Sequence, residues 1–281
     1  MQAVRTKQGK AITAEEKELY LRSLMREMKS VLVAYSGGVD SSYLALIATQ
    51  ELKNHALCVT GISPSVSAGA RKQAAKIAED FNFNYRTIRT EELENPDYNL
   101  NPTNRCYFCK DELYGRLRPL AKEANIEFVL DGANADDASD YRPGREAAKE
   151  NGVRSPLIEA GLNKDEIREL SHRQNLPTWD EPASPCLSSR IAYGLPVTIE
   201  RLSKIERGEE FMRSLGFREF RVRVHDELVR LEIAPAEMNK ALSLETTEKL
   251  ASKFRKLGFK YVTIDLHGFR SGAMNEVLEI K

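Results

Sequence analysis

The sequence predicts an α/β protein: a parallel sheet with helices on both faces, followed by a smaller α+β domain. Three observations lead there. Short apolar runs alternate with stretches of helical periodicity through the first part of the chain. A small-residue turn, Ser36-Gly37-Gly38, falls directly between one apolar run and the next helix. Beyond residue 190 the order changes to helix, two neighbouring strands, helix and strand.

Residues 14–29 open the pattern, with Leu19, Leu21, Leu24, Met25 and Met28 at helical spacing. Residues 31–35 are a continuous apolar run and predict a buried strand, with a helix over 41–52 after the glycine turn. The same alternation predicts strands at 56–62, 85–88 and 128–130 and helices at 68–81 and 110–124. Buried strands alternating with helices imply parallel pairing, and ligands of such sheets sit at the carboxyl ends of the strands. A helix is predicted over 162–175, stopped before Pro177. Residues 178–196, rich in Pro, Ser and Gly, read as a long ordered loop. Helices at 199–215 and 246–257 and strands at 220–224, 228–233 and 261–264 complete the chain. The expected domains are therefore 1–190 and 191–281.

Composition narrows the function classes. The 281 residues are 41% hydrophobic and 30% charged, which excludes a disordered chain. The 42 basic and 42 acidic residues cancel to a net charge of zero, which argues against a protein held to nucleic acid by bulk charge. No apolar run reaches the roughly 18 residues of a membrane span. Residues 1–10 carry positive charge without the apolar stretch of a secretory signal, so a cytoplasmic location and no membrane partner are expected.

The segment Ser36-Gly37-Gly38-Val39-Asp40-Ser41-Ser42 carries the first chemical signal. Two glycines admit a close-lying anion, the amides of a helix start point at it, and Ser41 and Ser42 add hydroxyl donors. The ordinary alternative is a capped strand-to-helix turn. The chain holds neither the P-loop pattern nor the dinucleotide fingerprint. A second phrase, Asp131-Gly132-Ala133-Asn134-Ala135-Asp136-Asp137, follows the strand at 128–130, where Gly132 permits close approach of a nucleotide.

Four cysteines are too few for a disulfide scaffold in a chain of this length. Cys58, inside an apolar run, reads as a buried small hydrophobe. Cys106 and Cys109 form a C-x-x-C pair entering a helix, and Cys186 comes from the long loop. Three thiolates leave a zinc site incomplete but suit a 4Fe-4S cluster with one open iron. A redox pair or two unrelated helix-start cysteines are the alternatives.

The heptad after the first strand resembles the PP-loop of the ATP pyrophosphatase superfamily, an adenine nucleotide alpha hydrolase-like fold. The resemblance implies that Ser36, Gly37, Gly38, Asp40, Ser41, Ser42 and Gly132 bind ATP, with Asp40 as a Mg2+ ligand, and that ATP is cut to an adenylate and pyrophosphate. The heptad together with DGANADD, the following Asp140-Tyr141-Arg142-Pro143-Gly144, the phrase Pro185-Cys186-Leu187-Ser188-Ser189-Arg190-Ile191 and Arg221-Val222-Arg223-Val224-His225-Asp226 is similar to the LarE family of ATP-dependent sulfur transferases. The likeness runs from about residue 13 to the C-terminus.

That resemblance implies a substrate, pyridinium-3,5-dicarboxylate mononucleotide, whose carboxylate is adenylated and then converted to a thiocarboxylate for the nickel-pincer nucleotide. It implies Cys186 as the sulfur-bearing residue and a homo-oligomer. Arg190, near Cys186, reads as lowering the thiol pKa or holding the substrate phosphate, and Arg221 and Arg223 as further contacts to that phosphate. Arg221 and Arg223 alternate on one strand and so share a face, and guanidinium binds phosphate bidentately; a solvated charged face is the alternative. Trp179, beside the cysteine loop, is read as core packing or as a partner for the substrate ring. The extra pair Cys106 and Cys109 resembles a three-cysteine branch in which they hold a 4Fe-4S cluster with Cys186. The alternative is sacrifice of the Cys186 sulfur. Two other classes compete: tRNA thiolation, which predicts a basic surface, and ammonia-fed amide synthesis, which predicts a glutaminase portion.

Overall fold

The computed structural model describes residues 12–138, 143–182, 185–270 and 273. The chain forms two compact units, Met1–Glu92 with Asn104–Ser184, and Leu93–Thr103 with Pro185–Lys281. Leu93–Thr103, inside the expected first domain, belongs to the second unit.

In the first unit, strands β1 (Val31–Ala34), β2 (Ala56–Ile62), β3 (Asn84–Arg89) and β4 (Phe128–Leu130) form one parallel sheet in the order β3-β2-β1-β4. Its longer helices are α1 (Ala14–Met28), α2 (Val39–Leu52), α3 (Ala68–Asp80), α4 (Arg105–Glu123), α5 (Pro143–Glu150) and α6 (Lys164–Arg173). Alternation along β1 assigns the two faces. Val31 and Val33 pack into a core with residues of α1, α2, α3 and α6, whereas Leu32 packs on the other face with Tyr114, Leu117 and Ala121 of α4. Helix α2 is apolar around most of its circumference and is buried nearly throughout, as a helix between the sheet and α1 must be. Each fully buried Leu, Val or Ile here contributes roughly 1.5–3 kcal/mol.

Local signals set the ends. Thr13 and Glu16 form a capping box at α1, and Asn163 and Glu166 form another at α6. Helix α4 begins earlier than the sequence predicts, at Arg105, so Cys106 lies in its first turn and Cys109 opens its second. The helix at 143–150 was not read from the sequence. Its start packs tightly on α4: a Cβ at Gly144 would lie 2.9 Å from Lys110 Cγ.

In the second unit, β5 (Phe220–His225) and β6 (Leu228–Ile233) form an antiparallel hairpin, and β7 (Tyr261–Ile264) joins β6 in parallel. Helices α7 (Ile199–Ser214) and α8 (Leu244–Lys256) pack on this sheet. Val222, Val224, Val229, Leu231, Ile233 and Phe254 are buried in its core. Among the described residues no helix is long and apolar enough to cross a membrane.

Candidate active site

The phosphate turn sits where the sequence places it, between β1 and α2. Gly38 is the N-cap of α2 in an extended conformation, and no side chain caps the amides behind it. Ser41 Oγ bonds inward, accepting from Ser36 N at 3.2 Å and lying 3.0 Å from Ser36 Oγ, while Ser42 is fully buried. Gly37 has φ +79°, and a Cβ there would sit 2.8 Å from Ala74 Cβ and 2.9 Å from Ala74 Cα of α3. Only glycine satisfies both the dihedral and the space. Gly132 brings the loop after β4 to the same helix start, since a Cβ on it would lie 3.0 Å from Ser41 N. The loops after β1 and β4 therefore converge on one set of helix-start amides, a donor set suited to an anionic polyphosphate.

Asp40 projects from the first turn of α2. Its Oδ2 pairs with Lys164 Nζ at 2.6 Å and its Oδ1 accepts from Asn134 Nδ2 at 3.4 Å. Lys164 opens α6, and its backbone N–H donates to Asp136 Oδ2 at 2.8 Å. The sequence reading did not single out Lys164. Asp131 and Asp137 are buried, which hydrogen bonds make tolerable: Asp131 accepts from Ser155 Oγ at 2.7 Å and Tyr114 OH at 3.2 Å, and Asp137 from Asn134 N at 3.0 Å. Lys110, beside Cys109, has its Nζ 5.4 Å from the Tyr114 ring centre. Its pKa is raised by Tyr114 above all, with Asp131 and Cys109 adding.

The cysteines divide between the units. Cys58 is fully buried in β2, and burial pushes its thiol up to about 12, so it is inert at neutral pH. Cys106 is exposed and Cys109 half-buried, and their spacing puts them on one face of α4. Cys186 belongs to the second unit, half-buried at the head of a 3-10 turn over Leu187–Arg190. Among the described residues no group of three or more His, Cys, Asp or Glu side chains is arranged to hold a metal ion. Residues 139–142, including Asp140, Tyr141 and Arg142 of the sequence phrase, lie outside the described residues.

The structure gives Arg190 a different occupation from the substrate contact expected of it. Its guanidinium is 2% exposed and donates through Nε to Glu209 at 2.8 Å and through Nη1 to the carbonyls of Pro185 at 2.6 Å and Cys186 at 3.1 Å. Ser189 Oγ donates to the same Cys186 carbonyl at 2.7 Å. Arg190 thus holds the turn that carries Cys186. Arg221 and Arg223 are buried rather than solvated. Arg223 pairs with the fully buried Glu232 at 2.9 Å and donates to Ser189 O at 2.9 Å. Arg221 lies 4.6 Å over the Phe269 ring, and burial, with Arg190 nearby, lowers its pKa to about 10. Trp179 is 39% exposed, with its ring centre 4.3 Å from that of His172 and the two planes tilted by 52°, so it is a surface ring and not a core one.

A parallel sheet whose first strand feeds an uncapped, glycine-opened helix start, faced by an acidic loop from a neighbouring strand, defines an α/β protein of the PP-loop class. Within that class the chain is 33% identical over 267 residues to pyridinium-3,5-bisthiocarboxylic acid mononucleotide synthase of Lactiplantibacillus plantarum, covering 95% of this chain and 96% of that one. The chain belongs to that synthase's family, the LarE family. It is also 43% identical over 264 residues to an uncharacterized protein of Synechocystis sp., spanning 94% of this chain and 98% of the other. An uncharacterized protein of Methanocaldococcus jannaschii is 31% identical over 243 residues, 86% and 92% of the two chains. No family model matches the chain.

Proposed function

We propose that the protein is an ATP-dependent sulfur transferase acting on pyridinium-3,5-dicarboxylate mononucleotide in nickel-pincer nucleotide biosynthesis. The reading rests on the uncapped start of α2, where the close approach of Gly132 to Ser41 N brings the loop after β4 to the helix-start amides beside Asp40. A substrate carboxylate oxygen attacks the α-phosphorus of ATP, the bond to the β-phosphate oxygen breaks, and pyrophosphate leaves. Ser36, Ser41 and Ser42 and the amides of the turn stabilise the charge that develops on it. Asp40 would hold a Mg2+ ion, and the chemistry that ion would supply is Lewis-acid stabilisation of the leaving group. Lys164, which neutralises Asp40 in the structure, then turns its ammonium to the phosphates.

The Cys186 thiolate attacks the activated carbonyl carbon and AMP leaves, giving a thioester. Loss of the Cys186 Cα proton with cleavage of its Cβ–S bond then releases the thiocarboxylate and leaves dehydroalanine. Arg190 keeps the Cys186 turn in place through its carbonyls. Arg221 and Arg223 bind the substrate phosphate, which guanidinium recognises bidentately. In the second mode, which the cysteine set favours, Cys106, Cys109 and Cys186 would be the ligands of a 4Fe-4S cluster, and the chemistry that group would supply is sulfide for repeated turnover. Adjacent thiols on an exposed helix turn suit that donor role.

The test is incubation with ATP, Mg2+ and the pyridinium dicarboxylate mononucleotide. AMP, pyrophosphate and a thiocarboxylate are expected, and release of ADP would contradict the reading. Loss of the elements of hydrogen sulfide at Cys186, located by intact-mass and peptide analysis, marks the sacrificial mode. Iron and acid-labile sulfide in anaerobically prepared protein, with Cys186 unchanged after several turnovers, mark the cluster.

A further inference from the structure

The carbonyl oxygen of Cys186 accepts three hydrogen bonds. Ser189 donates twice, from its backbone N–H at 3.0 Å and from Oγ at 2.7 Å, and Arg190 donates from Nη1 at 3.1 Å. The same Nη1 donates to Ser189 Oγ at 2.9 Å, so the guanidinium charge also polarises the hydroxyl that feeds the carbonyl. Glu209 accepts from Nε at 2.8 Å and keeps Nη1 aimed at the turn. A neutral peptide oxygen has two lone pairs, and the bond from Ser189 N alone closes the turn. A third donor, and a charged one, exceed what closing a turn requires. An oxyanion at that atom is different, because it carries a full charge and a further lone pair, and donors fixed around it act most strongly where water is excluded. Arg190 is 2% exposed.

We propose that Ser189 and Arg190 form an oxyanion hole for the carbonyl of Cys186 and are catalytic residues for elimination of sulfur from that cysteine, a role that rests on the reading of Cys186 as the residue that gives up its sulfur. Once the thiol has become a thioester, a base from solvent takes the Cα proton, and the C–H electron pair moves onto the carbonyl oxygen as a peptide enolate. The three donors stabilise that charge. The enolate then collapses: its electron pair forms the Cα=Cβ double bond, the Cβ–S bond breaks with its electrons on sulfur, and the thiocarboxylate leaves dehydroalanine behind. An amide carbonyl by itself stabilises a neighbouring carbanion weakly, so proton loss is the step at which outside donors act most. Arg190 and Ser189 thus do more than fasten the turn, since the atom they grip is one of the reacting atoms.

The test isolates the elimination from the rest of the reaction. The full chain is arylated with fluorodinitrobenzene, which converts the thiols of Cys106, Cys109 and Cys186 to thioethers with a good leaving group. Release of dinitrothiophenolate at one alkaline pH is then assigned to each position by the mass of the dehydroalanine peptide. Cys106 is exposed and Cys186 half-buried, so access of base favours the α4 pair. Elimination at Cys186 is nevertheless expected to be at least about tenfold faster than at Cys106 or Cys109, an advantage lost in urea. Ser189→Ala is expected to slow Cys186 alone by about tenfold, and Ser189→Thr, which keeps the hydroxyl, to restore most of the rate. Arg190→Lys should slow it as well, with folding checked by circular dichroism. Equal rates at the three cysteines of the folded chain, or an unchanged Cys186 rate in folded Ser189→Ala, would overturn the proposal. Neither ATP nor the mononucleotide takes part, so that result is distinct from a failure to form AMP and pyrophosphate, which would overturn the adenylation reading.

Discussion

Lys164 Nζ lies 2.6 Å from Asp40 Oδ2, joining the first turns of two helices across 124 residues of chain. Both side chains keep some solvent contact, at 31% and 23% exposure, so the pair itself adds less than about 1 kcal/mol to folding. Its weight falls on the nucleotide. Lys164→Met is expected to leave the urea midpoint nearly unchanged and to lower ATP–pyrophosphate exchange on the order of a hundredfold. Asp40→Asn should do the same and raise the Mg2+ concentration needed for half-maximal exchange. Equal exchange rates in all three proteins would remove both residues from the site.

Gly37→Ala puts a methyl group 2.8 Å from Ala74 Cβ at a residue with φ +79°. Because Ala74 Cα is also in the way, the clash is not relieved by rotating a side chain, and a loss of about 1–3 kcal/mol is expected. Gly132→Ala meets only the start of α2, at 3.0 Å from Ser41 N. It should cost less stability and more ATP affinity. Denaturant melts beside ATP titrations separate the two.

The Arg190–Glu209 pair, 2% and 3% exposed, sits beneath the Cys186 turn. Glu209→Ala strands a buried guanidinium and is expected to destabilise the fold by roughly 3–5 kcal/mol. Glu209→Gln keeps an acceptor and should cost less. With the turn loosened, iodoacetamide should modify Cys186 faster in either variant, read by peptide mass, while Cys58 stays unmodified until the chain unfolds.

Burial, reinforced by the Arg230 charge, holds His225 below its ordinary value of 6.5, and its Nε2 is buried without a hydrogen-bond partner. Between that lowered pKa and 6.5 the unfolded chain binds more protons than the folded one, so stability rises with pH across the window and falls on acidification. Urea midpoints for the native chain should drop from about pH 7 to about pH 5.5. His225→Asn should flatten that part of the profile, and an NMR titration should give His225 a midpoint under 6.5.

Much of this architecture is written in local pattern. Continuous apolar runs mark β1 and β2 because both faces of those strands are covered, and the strands at 228–233 and 261–264 have the predicted bounds. The heptad announces the helix start, since glycine and serine at a strand end have few other uses. Pairing across long separations leaves no such trace. Nothing near Lys164 says that Asp40 stands opposite. Nor does anything near Arg190 say that Glu209, 19 residues on, is buried beside it. Arg221 and Arg223 share a face as alternation requires, but their burial depends on Glu232 across the hairpin and on Phe269. The short helix at 143–150 escapes because its fit to α4 depends on a single missing side chain at Gly144.

The turn that carries Cys186 is fastened through the main-chain oxygens of Pro185, Cys186 and Ser189, by Arg190, the Ser189 hydroxyl and Arg223, and through the Ser188 hydroxyl by Tyr98. None of those fastenings asks what residue 186 carries beyond its Cβ. A protein that surrenders an atom from that position would keep the same scaffold afterwards, so spent and fresh molecules should be alike in shape and differ only in what they have left to give.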